Sequence, residues 1–225
     1  FGSIDHSTLT TLVARKISDR RVLKLVKQRL EARVMEDGRE TTMLSGTPQG
    51  GVISPLLSNI YLDFLDGVWL KRCADLGVLV RYADDFVVLC KTKEACREAE
   101  RRVRKLLGEL KLELHPDKTK RVDLGWGKQG IDFLGCHLRK RFSGPVWQKL
   151  HKRVYFLQRW PSTKSMKRIR QRVKDLTQRR RCHADPREVI AELNPVLRGW
   201  GQYFRTGNAA DTFGAVDKYV ARRLK

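Results

Sequence analysis

Residues 78–89 constrain this chain more than any others. Two runs of β-branched and apolar residues, Val78-Leu79-Val80 and Phe86-Val87-Val88-Leu89, flank Tyr82-Ala83-Asp84-Asp85. Such runs with a tight acidic junction predict a β-hairpin whose turn carries both carboxylates. Adjacent carboxylates repel one another, and a bound cation relieves that repulsion. Hard oxygen ligands suit Mg2+, and two such ions can activate a hydroxyl and steady the charge on phosphates during phosphoryl transfer. Asp is also a favoured turn residue, so on these four residues alone an ordinary turn is the better reading.

Charge narrows the choice of partner. The 47 Lys and Arg against 25 Asp and Glu leave +22 and a pI near 10.3. An excess of this size points to a polyanion, usually nucleic acid. A membrane surface is the competitor, but no apolar run approaches the roughly 20 residues of a spanning helix. There is no N-terminal signal pattern. The five cysteines, Cys73, Cys90, Cys96, Cys136 and Cys182, form no CxxC pair. They read as reduced thiols of a cytosolic protein. A chain of 225 residues can bury a real core and is expected to form two linked domains.

Hydrophobic periodicity predicts one helix over residues 5–33, a turn at 36–40, and a helix opened by Ser54 as N-cap with Pro55 behind it. Gly77 closes that helix. After the acidic hairpin, Thr92 caps a helix with Cys96, Ala99, Val103, Leu106, Leu107 and Leu110 inward. Short strands near 112–114 and 131–138 are expected to return to the same sheet. The class is α+β, with helices on one side of an antiparallel sheet. Beyond Ser143-Gly144-Pro145 the character changes. Lys164 to Cys182 hold nine basic residues and one acid, Asp175, and further helices are predicted over 186–203 and 211–224.

Three more features bear on chemistry. The loop Gly46-Thr47-Pro48-Gln49-Gly50-Gly51 lets backbone approach a ligand closely, and Gln49 offers an amide. It lacks the Lys-Ser/Thr ending of a P-loop. The basic helix from Lys164, with Arg168, Arg172 and Arg179, reads as a phosphate-backbone surface. Arg198, Tyr203 and Arg205 mix a ring with cations in a way suited to RNA, while Trp200 reads better as core.

The blocks Ser45–Leu62, Tyr82–Asp85, Leu112–Lys120 and Ile131–Cys136, in that order, resemble the reverse transcriptases encoded by group II introns. The stretch Leu193–Arg205 resembles their maturase-specific region. The resemblance implies a reverse-transcriptase palm with part of the fingers over 1–142 and an all-α thumb and maturase domain over 145–225. It implies RNA-directed DNA synthesis with a splicing-assisting role, on intron RNA, an RNA template, a DNA primer and deoxynucleoside triphosphates. The alternative is an intron-RNA-binding splicing factor without chemistry; a viral-type RNA polymerase fits the motif context less well. A homodimer stays open, and the compartment is cytoplasmic in a bacterium or organellar in a eukaryote.

By the same resemblance Asp84, Asp85 and Lys118 are catalytic. The two acids hold Mg2+ in a two-metal site completed by an Asp expected five residues before Phe1. Phe1, Gln49, Gly50, Ala83 and Lys118 bind the nucleotide, Asp5 is a structural acid at a helix start, and Ile131–Arg139 is the primer grip. With that upstream Asp and the remaining fingers lacking, the 225 residues are not expected to polymerise by themselves.

Overall fold

A computed structural model describes residues 4–31, 34–36, 39–41, 52–181 and 183–224. They fall in two compact units, Phe1–Arg121 and Val122–Lys225.

The first unit opens with α1 (His6–Ala14) and α2 (Arg20–Glu31), not with the single helix that periodicity predicts. Asp19 makes the break. Its carboxylate accepts from the backbone N–H of Arg21 at 2.7 Å, supplying a new N-terminal cap. A short antiparallel pair follows, β1 (Val34–Glu36) with β2 (Arg39–Thr41). The long α3 (Ser54–Arg72) has Ile53 at its N-cap, so Ser54 is the first helical residue and not the cap expected of it. The helix ends at Arg72, and Gly77 follows a turn further on. The hairpin β3 (Val78–Tyr82) and β4 (Asp85–Leu89) comes next, and then α4 (Lys93–Glu109), capped by Thr92 as expected.

The core of this unit gathers Leu9 and Val13 of α1, Leu57, Tyr61, Leu65 and Trp69 of α3, and Ala99, Val103, Leu106 and Leu107 of α4. Tyr61 is fully enclosed, and its hydroxyl donates to the Leu110 carbonyl at 2.6 Å. Burial pushes that phenol above its ordinary pKa. Leu110 stands where α4 stops. The Leu112 N–H reaches the Leu107 carbonyl at 2.8 Å, the Lys111 N–H reaches that of Gly108 at 2.9 Å, and Lys111 takes φ +54°. This is a Schellman ending with lysine at the position glycine usually fills. It accounts for the missing strand at 112–114, which is irregular. Leu112 and Leu114 close the helix end against the core instead of pairing with a sheet.

The second unit is built on a three-stranded antiparallel sheet of its own, β5 (Gly130–Phe133), β6 (Cys136–Phe142) and β7 (Tyr155–Pro161), in that order. The expected strand at 131–138 is therefore a hairpin that pairs with β7, not with the acidic hairpin. The short α5 (Gly144–Leu150) links β6 to β7. Then come α6 (Thr163–Leu176), a 3-10 turn (Arg179–Arg181), α7 (Pro186–Phe204) and α8 (Ala210–Leu224). Val173 of α6 packs with Val189 and Leu193 of α7, and with Tyr219 and Val220 of α8. The basic helix ends earlier than its charge pattern suggests. Thr177 hydrogen-bonds back to the Val173 carbonyl through its hydroxyl at 2.7 Å, and the Arg223 guanidinium takes the Thr177 carbonyl. Arg179 consequently lies outside the helix that carries Arg168 and Arg172.

Candidate active site and nucleic-acid interface

The register of β3 and β4 pairs Tyr82 with Asp85, leaving Ala83-Asp84 as a two-residue turn. Asp84 sits in the turn and Asp85 opens β4, and both are exposed. Ala83 has φ +51°, a left-handed conformation that costs a residue with a Cβ roughly 1–2 kcal/mol. Two residues of α3 and one of β3 oppose that strain. The Arg81 guanidinium grips the Asp66 carboxylate, with Nε at 2.9 Å from Oδ1, and donates at 3.1 Å to Asn59 Oδ1. It also donates to the Ala83 carbonyl at 2.9 Å. The side chain of Arg81 is only 12 % exposed, and its hydrogen bonds to Asp66 raise it above its ordinary pKa. It stays charged and holds the turn by the backbone.

That arrangement matters for the acids. Asp84 accepts one hydrogen bond among the described residues, from the hydroxyl of buried Ser58 at 3.2 Å. Among the described residues the Asp85 carboxylate meets no hydrogen-bond partner. Asp5 is the contrast. Its carboxylate caps α1, accepting from Ser7 Oγ at 2.6 Å and from Thr8 Oγ1 and N–H at 2.7 and 2.9 Å. Lys111 Nζ lies 3.0 Å away. The Ser7 and Thr8 hydrogen bonds hold it well below the usual carboxylate range. Asp5 is spent on structure, whereas Asp84 and Asp85 present oxygens outward.

Two adjacent, exposed, sparsely bonded carboxylates fit a hard divalent cation in ligand type. They are not a complete cage, since no group of three or more His, Cys, Asp or Glu among the described residues is arranged to hold a metal. Water, substrate phosphate or another acid would have to fill the remaining positions.

The other residues singled out by sequence are placed as follows. Lys118 is exposed on the turn at 116–118. Phe1, Gln49 and Gly50 lie outside the described residues. In the second unit Arg168, Arg172, Arg179, Arg198 and Arg205 are all exposed. Tyr203 is 56 % exposed, and its hydroxyl donates to the Leu134 carbonyl at 2.7 Å. That carbonyl belongs to the two-residue turn Leu134-Gly135 at the tip of β5–β6, where φ is +48° and +75°. The Gly135 carbonyl is held by the Ser162 N–H at 2.9 Å and Ser165 Oγ at 2.8 Å. Trp200 packs on Phe204 and Phe213 at 5.1 and 5.3 Å between ring centroids, as the core reading expects. Cys73, Cys90, Cys96 and Cys136 are free thiols, and burial pushes those of Cys90 and Cys136 up. Among the described residues no helix is long and apolar enough to cross a membrane.

Sequence reasoning missed Arg81, Asp66, Asn59 and Ser58. The signal was available for Arg81, a lone cation inside an apolar strand; its partners on α3 show only once the two elements pack.

The reverse transcriptase (RNA-dependent DNA polymerase) family model matches residues 1–138, and that of the group II intron maturase-specific domain matches 166–225. Among curated proteins the chain is 38 % identical over 176 residues to Protein YkfC of Escherichia coli K12, covering 63 % of this chain and 45 % of YkfC. It is 29 % identical over 208 residues to the group II intron-encoded protein LtrA of Lactococcus lactis subsp. cremoris, covering 65 % of this chain and 34 % of LtrA. A 66-residue segment is 42 % identical to an uncharacterized 91 kDa protein in a cob intron of Schizosaccharomyces pombe, covering 29 % of this chain and 8 % of that protein. The chain thus spans less than half the length of the curated relatives it matches.

Proposed function

The chain belongs to the reverse transcriptase family, and from that premise we propose that it carries the metal-binding and primer-positioning part of a group II intron RNA-directed DNA polymerase, joined to a maturase-type RNA-binding region. The observation that carries this reading is the Asp84–Asp85 pair. Its turn is fixed through Ala83 by Arg81, and its oxygens are left outward, inside a region that matches the polymerase family.

In this reading Asp84 and Asp85 hold Mg2+ with help from ligands outside the described residues. Cations held there supply Lewis-acid activation of the primer hydroxyl and charge stabilisation on the triphosphate. Lys118 neutralises the triphosphate or protonates the departing pyrophosphate. Phe1, Gln49, Gly50 and Ala83 contact the incoming nucleotide. The β5–β6 hairpin, fastened at its tip by Tyr203 and Ser165, positions the primer end, where alignment is worth many kcal/mol. Residues 1–142 work as the palm-type part. Residues 145–225 work as the thumb and maturase part, with Arg168, Arg172, Arg179, Arg198 and Arg205 on RNA phosphates and Tyr203 against RNA.

The second reading, a splicing factor without chemistry, is favoured by the match at 166–225. One variant separates the two. Asp84→Asn, in a form of the protein that carries the remaining metal ligands, is expected to lower primer extension with deoxynucleotides by roughly 10³-fold or more, the loss of several kcal/mol of metal stabilisation. RNA binding and splicing are expected to stay near normal. Unimpaired extension by that variant would overturn the polymerase reading and leave the RNA-binding one standing.

A further inference from the structure

Residues 139–165 lie between the two family matches. They hold eight Lys or Arg, five aromatic residues and no acid at all. Folded as the end of β6, α5 and β7, they join a row of rings that begins on the preceding loop with Trp126. That indole is 69 % exposed, yet its loop is firmly built. The Asp123 N–H donates to the Gln129 side chain and the Gly125 N–H to the Asp123 carboxylate, each at 2.8 Å. Arg139 Nε donates to the Gly127 carbonyl at 2.6 Å. Gly127 has φ +64°, and a Cβ there would stand 2.3 Å from the Lys140 carbonyl oxygen, so only glycine lets the loop lie on β6. A loop fixed this well, with its Trp left in water, forgoes the burial that normally decides where a Trp sits.

From Trp126 the rings continue without a gap. Tyr155 lies 6.1 Å from it, Phe142 lies 5.7 Å from Tyr155, and Trp147 lies 6.4 Å from Phe142, between centroids. Phe142 and Trp147 are 45 % and 40 % exposed. Adjacent rings meet at 54° to 90°, so none lies flat against its neighbour. Arg153 sits over Trp147 at 5.9 Å. Lys140 shares a sheet face with Phe142 and Tyr155, Arg141 lies on the other face over the Trp160 ring at 4.8 Å, and the segment adds Lys149 and Lys152. No Asp or Glu occurs between residues 133 and 174, and the one acid in the Trp126 loop, Asp123, is held by the Gly125 N–H.

We propose that this row is a stacking platform for unpaired RNA bases, separate from the phosphate-contacting face of α6. The inference rests on the reading that the chain binds RNA. Single-stranded nucleic acid is held by rings that stack on bases and cations that follow the backbone. A duplex hides its base faces and offers mainly phosphates and sugar hydroxyls. The excess of Lys and Arg over the one loop acid, Asp123, favours a polyanion over a protein surface of mixed charge.

The test uses the 225-residue chain and the variant Trp126→Leu with Trp147→Leu. Each is titrated with an unstructured oligouridine of about 20 nucleotides and with a blunt RNA duplex of equal length, across a range of KCl. Stacking is sequence-tolerant and strong per base, so the variant is expected to bind oligouridine roughly tenfold or more weakly. Its salt slope on oligouridine and its affinity for the duplex should not change, because no phosphate contact is lost. The ring-preserving pair Trp126→Phe with Trp147→Tyr is expected to bind within about twofold of the original.

Unchanged oligouridine binding by the Leu variant overturns the platform, leaves RNA binding to α6, and gives the rings to a protein partner. Equal losses on both RNAs with a lowered slope overturn it too, since the rings would then only steady phosphate-binding cations. If the original chain binds neither RNA, the RNA-binding reading itself falls and the platform with it. Should the Leu variant fail to fold, 4-thiouridine crosslinking of the original chain decides. Adducts on residues 126–155 support the platform, and adducts confined to α6 and α7 overturn it.

Discussion

The β3–β4 hairpin ends in Ala83-Asp84 and turns carboxylates outward, whereas the β5–β6 hairpin ends in Leu134-Gly135 and has its own carbonyls fastened by side chains of α6 and α7. Both tips contain a non-glycine residue at positive φ, Ala83 and Leu134, and both are held by hydrogen bonds to turn carbonyls. They differ in what is left over. At the first tip one guanidinium fixes the backbone and the acids remain available to a ligand. At the second nothing reactive remains, and the hairpin is a brace. A site can therefore be stiff and still have unspent valence, provided the restraint acts on main chain.

The largest break in that comparison is expected from Arg81→Ala. The change leaves Asp66 without its partner and frees the Ala83 carbonyl. Breaking a fully buried pair costs about 3–5 kcal/mol. Asp66 is 37 % exposed, and water screens it, so about 2 kcal/mol is expected. Denaturant unfolding should show the loss, and the β3–β4 amides should exchange faster. Arg81→Lys keeps the charge without the fork and should recover less than half. Unaltered exchange in Arg81→Ala would mean that the two tips are not held alike.

A smaller effect is expected at the second tip. Tyr203→Phe removes one hydrogen bond, from a half-exposed hydroxyl, worth about 1 kcal/mol. Protection should drop at Phe133–Cys136, with the Asp84 turn unmoved. Loss of RNA binding without loss of protection would assign the hydroxyl to the nucleic acid and not to the brace.

Much of this was legible in sequence. The apolar runs around Tyr82–Asp85 demanded a hairpin, Thr92 announced α4, and the periodic stretches at 186–203 and 211–224 gave α7 and α8 within a residue. What failed did so for physical reasons. The break at Asp19 competes with a helical pattern that continues through it, and a single carboxylate decides the outcome. The ends of α4 and α6 depend on Lys111 entering a left-handed conformation and on Arg223, 46 residues away, reaching Thr177. The β6–β7 pairing joins segments that show no alternation strong enough to reveal it. The place of the two acids at a hairpin turn was legible and its support was not, because Arg81 acquires its meaning only from Asp66 and Asn59.

The contrast between spent and unspent acids can be sharpened by pH. Asp5 is stabilised as a carboxylate in the fold, so its contribution is present above the unfolded value near 3.9 and is lost as pH falls below it. Asp5→Asn keeps a capping oxygen but no charge, and should cost about 0.5–1 kcal/mol at neutral pH. It should also flatten the decline in melting temperature between roughly pH 5 and 2. An acid limb as steep as the original would move that dependence to Glu98, which its pair with Arg101 holds down at about 2.

The smallest expected effect tests the tips against each other. Ala83→Gly relieves a left-handed residue, worth roughly 1–2 kcal/mol, but glycine gives back about 0.5–1 kcal/mol in chain entropy. The net gain should be about 0.5 kcal/mol, and Leu134→Gly should gain a similar amount by the same arithmetic. Function should separate them. Ala83 sits between Arg81's grip and the two acids, so glycine there lets the carboxylates wander and, in the polymerase reading proposed above, should slow primer extension severalfold. At the second tip Ser162, Ser165 and Tyr203 still hold the carbonyls, so Leu134→Gly should leave the rate unchanged. Equal slowing by both substitutions would show that the brace, too, depends on its strained residue, and the distinction between the hairpins would fall.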